Sequence, residues 1–325
     1  MTRRYALDAS TRQLGDRGTI VLGGSPLRLF RLTRAGASVF ASCRRGDPLE
    51  PSTMVERLLD AGVIHPLVDA GAPHRYGPGD VTVVVPALDP GADQLAAIVR
   101  ACTGAAAVVV VDDGSAPPVG DVSGTVLLRL ASNRGPAVAR AAGLEAVRTE
   151  LVAFVDTDIE AEAGWLTGLL GHFDDPRVGL VAPRVASGSA APGASASVAE
   201  YERRRSPLDL GDAAGRVAPR TRIAYVPAAA VVARVAAITA VGGFDPALRA
   251  GEDVDLVWRL VGSGWRARYE PSVSVLHTPR RSWPALALQR AVYGASAAAL
   301  ARRRRWRPAV RRAPPAGRRS DRATR

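Results

Sequence analysis

From Asp80 onward the hydrophobic positions fall into short runs separated by stretches of helical spacing. Val81 to Pro86 is a continuous apolar run, as expected of a strand covered on both faces. Ala92 to Ala101 has helical spacing, and Ala107 to Val111 and Val126 to Leu130 read as a second and a third strand. Pro136 to Val147 predicts a helix, with proline in the first turn, where its missing N–H is tolerated. Leu151 to Val155 predicts a fourth strand, Ala163 to Phe173 a helix and Val178 to Ala182 a further strand. Buried strands alternating with helices predict an α/β fold, a mostly parallel sheet with helices on both faces. Such sheets bind ligands beyond the carboxyl ends of their strands, which is where candidate chemistry is sought.

Before Asp69 the pattern is different. Leu27, Leu29 and Leu32 alternate as in a strand, and Ala35 to Ser42 has the spacing of a helix turn. Ser52 to Ala61 reads as a helix, with Ser52 as N-cap, Glu56 in its early part and Gly62 as its stop. Val63, Ile64 and Leu67 suggest a short closing strand, completing a small α+β unit of winged-helix type. Asp69 to Asp80 is rich in Gly and Pro and has no period, which marks a break. The expected organisation is a winged-helix-like domain over 1–72, a linker over 73–79, an α/β domain over 80–300 and a disordered Arg-rich tail over 301–325. A length of 325 residues suits more than one core.

Charge changes the picture only at one end. The net charge is +12, and the chain contains 43 basic residues, all of them Arg. Arg302 to Arg325 holds eleven arginines against one aspartate, so ten of the twelve net charges sit in the tail. The folded body is nearly neutral, which argues against a nucleic-acid partner. A basic tail of this kind admits peripheral contact with an anionic membrane as readily as a solvated end. Cys43 and Cys102 fit no metal or redox spacing, and Met1 to Leu14 carries no apolar leader core, so a cytoplasmic protein is expected. The longest apolar stretch, Val226 to Val241, is interrupted by Arg234 and is too short to span a bilayer.

The chemistry-bearing residues cluster at strand ends. The second strand runs into Asp112-Asp113-Gly114-Ser115, which reads either as a plain Asp-Gly turn or as carboxylates facing a ligand. The fourth runs into Asp156-Thr157-Asp158, two carboxylates one residue apart that can converge on a divalent cation. The competing reading is an acidic helix cap, and two such strand ends in one sheet favour the metal. Asn133-Arg134-Gly135-Pro136 opens a helix whose free N–H groups suit phosphate. Arg140 on that helix is either a phosphate ligand or a surface charge. Glu252 and Asp253 open another helix, where acids are stabilised by the helix dipole. Asp253 is also the candidate general base that takes a proton from an acceptor hydroxyl, allowing direct displacement with inversion. His277 ends an apolar run and is either a satisfied core residue or a further metal ligand.

Val81-Thr82-Val83-Val84-Val85-Pro86, Asp112 to Ser115, Asp156-Thr157-Asp158, and Gly243-Phe244-Asp245 with Glu252-Asp253 occur in the order seen in family 2 glycosyltransferases. The resemblance covers roughly Asp80 to His277 and implies the GT-A nucleotide-diphospho-sugar transferase fold. It implies uridine contacts from Pro86 and Asp113 with Asp112 adjacent, and Asp156 near the donor. It also implies metal binding (Mn²⁺ or Mg²⁺) through Asp158 and His277, and Asp253 as base. The N-terminal unit, with Leu58 to Ile64, resembles winged-helix domains that recognise precursor peptides. Fused to a family 2 domain, it resembles the glycosyltransferases of the mycofactocin system. That implies UDP-glucose as donor and a peptide-derived redox cofactor, mycofactocin, as acceptor; a cell-envelope or other glycan is the alternative acceptor.

The sequence departs from the family pattern where Ala141-Ala142 follows the helix Arg in place of the usual Asn, and where the Gln-x-x-Arg-Trp signature of processive membrane synthases is absent. Arg280-Arg281-Ser282-Trp283 is only a distant echo of it. The competing functions fit less well. A winged-helix DNA-binding regulator needs a concentrated basic face, whereas Arg31, Arg34, Arg44 and Arg45 are mixed with Asp47, Glu50, Glu56 and Asp60. Nucleotidyl transfer calls for a Gly- and Lys- or Arg-rich loop after the first strand, and Pro86-Ala87-Leu88-Asp89-Pro90 is not one. A hydride-transferring dinucleotide enzyme lacks its G-x-G-x-x-G there.

Overall fold

The computed structural model describes residues 2–15, 18–69 and 71–304. The N-terminal unit contains β1 (Arg4–Leu7), β2 (Arg12–Leu14), β3 (Ile20–Gly23), β4 (Arg28–Arg31), α1 (Arg34–Arg45), α2 (Thr53–Ala61) and β5 (Ile64–Leu67). Strands β2, β3 and β4 form one small antiparallel sheet, and β1 pairs with β5 in another. Helix α2 starts and stops where its sequence dictates. Ser52 accepts from the Val55 N–H at 3.3 Å, and Gly62 closes the helix in the left-handed region. Tyr5, Phe40, Val55, Leu58 and Ile64 form the unit's own core.

The larger unit is built on β6 (Val81–Ala87), α3 (Ala92–Ala101), β7 (Ala107–Asp112), β8 (Val126–Arg129), α4 (Pro136–Glu145), β9 (Leu151–Val155) and β10 (Ile159–Glu160). There follow α5 (Thr167–Leu170), β11 (Val178–Ser187), α6 (Ala196–Arg205), β12 (Gly215–Val217), β13 (Ala230–Arg234), α7 (Val235–Ala240), α8 (Glu252–Gly262), β14 (Arg266–His277) and α9 (Trp283–Arg304). The sheet runs β10-β14-β11-β13-β9-β6-β7-β8, with β12 on β14. Pairing is parallel through β9-β6-β7-β8 and between β11 and β14, and antiparallel where β13 enters between β9 and β11. Alternate residues of β6 feed opposite cores: Val81, Val83 and Val85 pack beneath α3, and Val84 beneath α4. The sheet is therefore covered on both faces.

Several boundaries differ from the sequence reading, three of them in the larger unit by the widest margin. The helix expected over Ala163 to Phe173 shortens to α5 and a 3₁₀ turn over Gly171–Asp174, because Gly164, Gly168 and Gly171 lower its helical propensity and Gly164 adopts φ +87°. The strand expected over Val178 to Ala182 continues to Ser187 as β14 keeps pairing with it. Helix α9 runs through Ala301 to Arg304, where the tail was expected to have begun. The rest of that Arg-rich tail, from 305, lies outside the described residues. Among the described residues no helix is long and apolar enough to cross a membrane.

The two units meet across a seam of ion pairs. Arg177 donates to Glu56 at 2.8 Å and to Asp60 at 3.1 Å, both on α2. Arg266, at the start of β14, donates to Asp60 at 2.8 Å and to Asp175 at 2.7 Å and also reaches Glu56. Helix α4 lies flat on the sheet because Gly143 has no side chain: a Cβ there would stand 2.3 Å from Val84 Cγ1. Gly143→Ala is expected to lower stability by about 1–3 kcal/mol through overpacking. At an open helical site the same change would raise it by about 1 kcal/mol. The sign of the shift in the urea midpoint, at unchanged slope, decides between them.

Candidate active site

The turn after β7 is held by its own carboxylates. Asp112 is fully buried: its Oδ1 accepts from Ser115 N at 2.8 Å, and its Oδ2 from Val119 N and Arg129 Nε, both at 3.1 Å. Burial raises its pKa, but these bonds and the Arg129 charge outweigh that and hold it below the usual range. Asp113 accepts from the backbone N–H groups of Arg134 and Gly135, both at 2.8 Å. The amides that the sequence reading offered to a phosphate are thus taken by Asp113. Gly114, at φ +79°, allows this approach; a Cβ there would lie 2.5 Å from the Asn133 nitrogen. Pro86, at the end of β6, pairs in register with Val111, one residue before Asp112.

Arg140 is no surface charge. It projects from α4 into the protein and is 3% exposed. It donates to Glu252 at 2.8 Å and to Asp156 at 2.6 Å, and lies over the Phe244 ring at 5.8 Å. One guanidinium thus ties the end of β9 to the first turn of α8. Burial pushes the Asp156 carboxyl above its usual range, and nearby Asp158 adds to that against the pull of Arg140. Asp158 goes the other way. Burial raises it, but the hydrogen bond from His277 and the His277 and Arg280 charges bring it below the usual range.

His277 Nε2 lies 3.1 Å from Asp158 Oδ2. Chain separation is overcome by the antiparallel pairing of β10 with β14, in which Ile159 faces His277. The His277 Nδ1 is buried without a hydrogen-bond partner. An oxygen and a nitrogen donor side by side are a ligand pair that a divalent cation accepts. Among the described residues no group of three or more His, Cys, Asp and Glu gathers as a metal cage. Any further ligands would have to come from solvent or substrate.

Asp253 sits on the first turn of α8, behind Gly251 in the left-handed conformation. Its Oδ2 receives only a long bond, 3.4 Å, from Ala228 N. It borders an apolar recess lined by Phe154, Phe244, Leu256 and Val257. Burial and then the adjacent Glu252 charge push it up to about 6, a suitable value for a proton acceptor near neutrality. Glu252 is engaged by Arg140, so of the two acids Asp253 is the less restrained.

Residues of α9 and its approach complete the site and escaped the sequence reading. Arg280 Nη2 lies 3.5 Å from Asp158. With its amide oriented to suit its neighbours, Gln289 accepts from Arg280 Nη2 at 2.8 Å and from the Tyr293 hydroxyl at 3.1 Å. Tyr293 and Tyr225 are both raised by burial and both feel the Asp253 charge. The Arg280-Arg281-Ser282-Trp283 echo was the one available signal.

Residues 82–220 match the sequence model of a family described as Glycosyl transferase family 2. Pre-mycofactocin glycosyltransferases from two strains of Mycobacterium tuberculosis, CDC 1551/Oshkosh and ATCC 25618/H37Rv, are each 45% identical over 305 residues, covering 91% of this chain and 62% of theirs. This chain therefore spans about three fifths of the length of those curated relatives. Among solved structures, the mannosyltransferase PcManGT from Pyrobaculum calidifontis, in complex with GDP-Man and Mn²⁺, has a TM-score of 0.50 at 20% identity, covering 72% of this chain and 68% of that one.

Arg140→Leu should strand the buried Glu252 and the partly buried Asp156. The expected loss is about 3–5 kcal/mol at neutral pH. It should shrink as pH falls and Asp156 takes up a proton, which urea unfolding at pH 7.5 and pH 5 would reveal. An equal loss at both values would contradict this account.

Proposed function

This chain carries a Glycosyl transferase family 2 domain on a GT-A fold, and from that premise we propose that it transfers a hexose, glucose from UDP-glucose, to an acceptor hydroxyl with inversion at the anomeric carbon. The acceptor we assign is pre-mycofactocin, in the biosynthesis of that peptide-derived redox cofactor; the name and 45% identity of the M. tuberculosis relatives support it. The observation that carries the reading is that Arg140 ties Asp156, two residues before the Asp158–His277 pair, to Glu252, the neighbour of Asp253. Residues 1–72 act as the winged-helix-like unit, 73–79 as the linker and 80–300 as the transferase.

In this reading Pro86 and Asp113 face the uracil side of the donor, and Asp112 supports Asp113 by holding the turn. Asp158 and His277 hold Mn²⁺ or Mg²⁺, and Asp156 lies beside the donor. The cation, when bound, neutralises the diphosphate leaving group. Arg140 keeps Asp156 and Glu252 at a fixed separation, which aligns the donor end of β9 with the helix that bears the base. Asp253 accepts the proton of the acceptor hydroxyl as that oxygen attacks the anomeric carbon from the face opposite UDP. No enzyme nucleophile is required, because a single displacement inverts the centre. The recess beside Asp253 excludes water and raises its proton affinity. Arg280, held by Gln289, guards the Asp158 carboxylate on the α9 side.

Asp253→Asn should lower transfer by about 10²–10⁴-fold and leave UDP binding within about twofold; transfer at the normal rate removes Asp253 as base. In the parent protein kcat/KM should fall about tenfold per pH unit below a pKa of about 6, since only the ionised carboxylate accepts a proton. A profile flat from pH 5 to pH 8 would contradict that role.

The metal assignment has its own test. Asp158→Ala, or a chelator, should abolish Mn²⁺-dependent binding of UDP-glucose, read by calorimetry. Undiminished UDP release in excess chelator would refute it.

A further inference from the structure

Three strands meet at one end of the sheet beside Asp158, in the order β10, β14 and β11. His277, the last residue of β14, is held from both sides through its backbone. Ile159 of β10 faces it in antiparallel register, and the Gly188 N–H just past β11 donates to its carbonyl at 2.9 Å. Its register partner in the parallel β11 is Ser187. Val185 and Val275, two residues earlier on the same two strands, both pack in the core beneath α3. Side chains two apart share a face of the sheet. The Ser187 hydroxyl and the His277 imidazole therefore stand side by side on that face, on strands about 4.8 Å apart.

The polar atoms there are unevenly satisfied. His277 Nε2 is engaged with Asp158 Oδ2 at 3.1 Å. His277 Nδ1 and Ser187 Oγ are both buried, and both lack a hydrogen-bond partner among the described residues. Leaving a buried polar atom unpaired costs free energy, and coordination sharpens the need for a partner. A cation takes the lone pair of Nε2, so the ring proton must then sit on Nδ1. Imidazoles that bind metals donate this other N–H to an oxygen, which fixes both the tautomer and the orientation of the ring. The oxygen that strand register places beside the ring is Ser187 Oγ, within the span of a direct bond or one bridging water.

We infer that Ser187 is a positioning residue for the cation: its hydroxyl accepts the Nδ1–H of His277, directly or through one water, and holds Nε2 turned toward the metal beside Asp158. The inference rests on the proposed metal site and adds to it a residue that is not itself a ligand. Without metal, the ring keeps its proton on Nε2 and donates to Asp158, and Ser187 is left unpaired, as it is here. On binding, one proton leaves Nε2 and one is taken up at Nδ1, so the neutral ring changes only its tautomer.

UDP binding to the full chain, followed by calorimetry over a series of Mn²⁺ concentrations, gives the apparent affinity for the cation. Ser187→Ala should weaken that affinity about 10–100-fold. Its melting temperature without metal should not fall, because the hydroxyl it removes is unpaired there. Ser187→Thr keeps the hydroxyl and should recover most of the loss. Pulsed electron paramagnetic resonance reads the ring directly. Bound Mn²⁺ should show modulation from the imidazole nitrogen in the parent and in Ser187→Thr, and weaker modulation in Ser187→Ala. Unchanged Mn²⁺ affinity in Ser187→Ala, a lowered melting temperature in that variant, or no recovery in Ser187→Thr would each overturn the role of Ser187 and leave the metal assignment standing. UDP binding independent of Mn²⁺ in the parent would instead remove the metal site, and this inference with it.

Discussion

The candidate site depends on one buried cation. Arg140 joins the carboxylate at the end of β9 to the first turn of α8, although 96 residues separate Asp156 from Glu252 in the chain. Burial alone would make this guanidinium unfavourable, and two charge-assisted hydrogen bonds offset that. The same arrangement accounts for the uneven electrostatics of the acids around it. Glu252 and one oxygen of Asp156 are paired with Arg140. Asp253, one residue beyond Glu252, is raised first by burial and then by its neighbour's negative charge, which outweighs the pull of Arg140.

A second constraint is strand register. The β10-β14 pairing sets Ile159 opposite His277, and that alone brings the imidazole to Asp158. A slip of one residue would turn His277 to the other face of the sheet. The insertion of antiparallel β13 between β9 and β11 has a similar consequence. It carries Ala229 to the backbone of Asp156 and, through the segment before it, Ala228 to the carboxylate of Asp253. The donor end and the base are thereby referred to one strand. Helix α9 then covers this edge, bringing Arg280, Gln289 and Tyr293 toward the same carboxylates.

Much of this was legible beforehand, for physical reasons that can be named. Continuous runs such as Val81 to Pro86 and Leu151 to Val155 announce strands covered on both faces, and they appear within one residue of their expected limits. Ser52 and Gly62 announce the two ends of α2, and both caps form. Helix α9 and strand β14 were less visible. Alanine-rich α9 has no strong apolar stripe, and β14 is interrupted by Glu270, Pro271, Ser272 and Ser274, so neither carries a clean period. Two readings of Arg140 were open from sequence because a lone arginine after a helix start looks the same whether it faces water or a carboxylate.

The sequence by itself determined the α/β alternation, the caps, and the placement of carboxylates directly after buried strands, because these follow from local periodicity and from backbone chemistry over a few residues. It also carried the ordered motifs of the glycosyltransferase family. Only the tertiary structure decided which acid is paired and which is left to take a proton, that His277 meets Asp158, and that Arg266 meets the carboxylates of the seam. Those outcomes depend on strand order, register and the packing of two units against each other. Each is a relation between residues far apart in the chain, and the free energy of a buried charge is set by its neighbours in space.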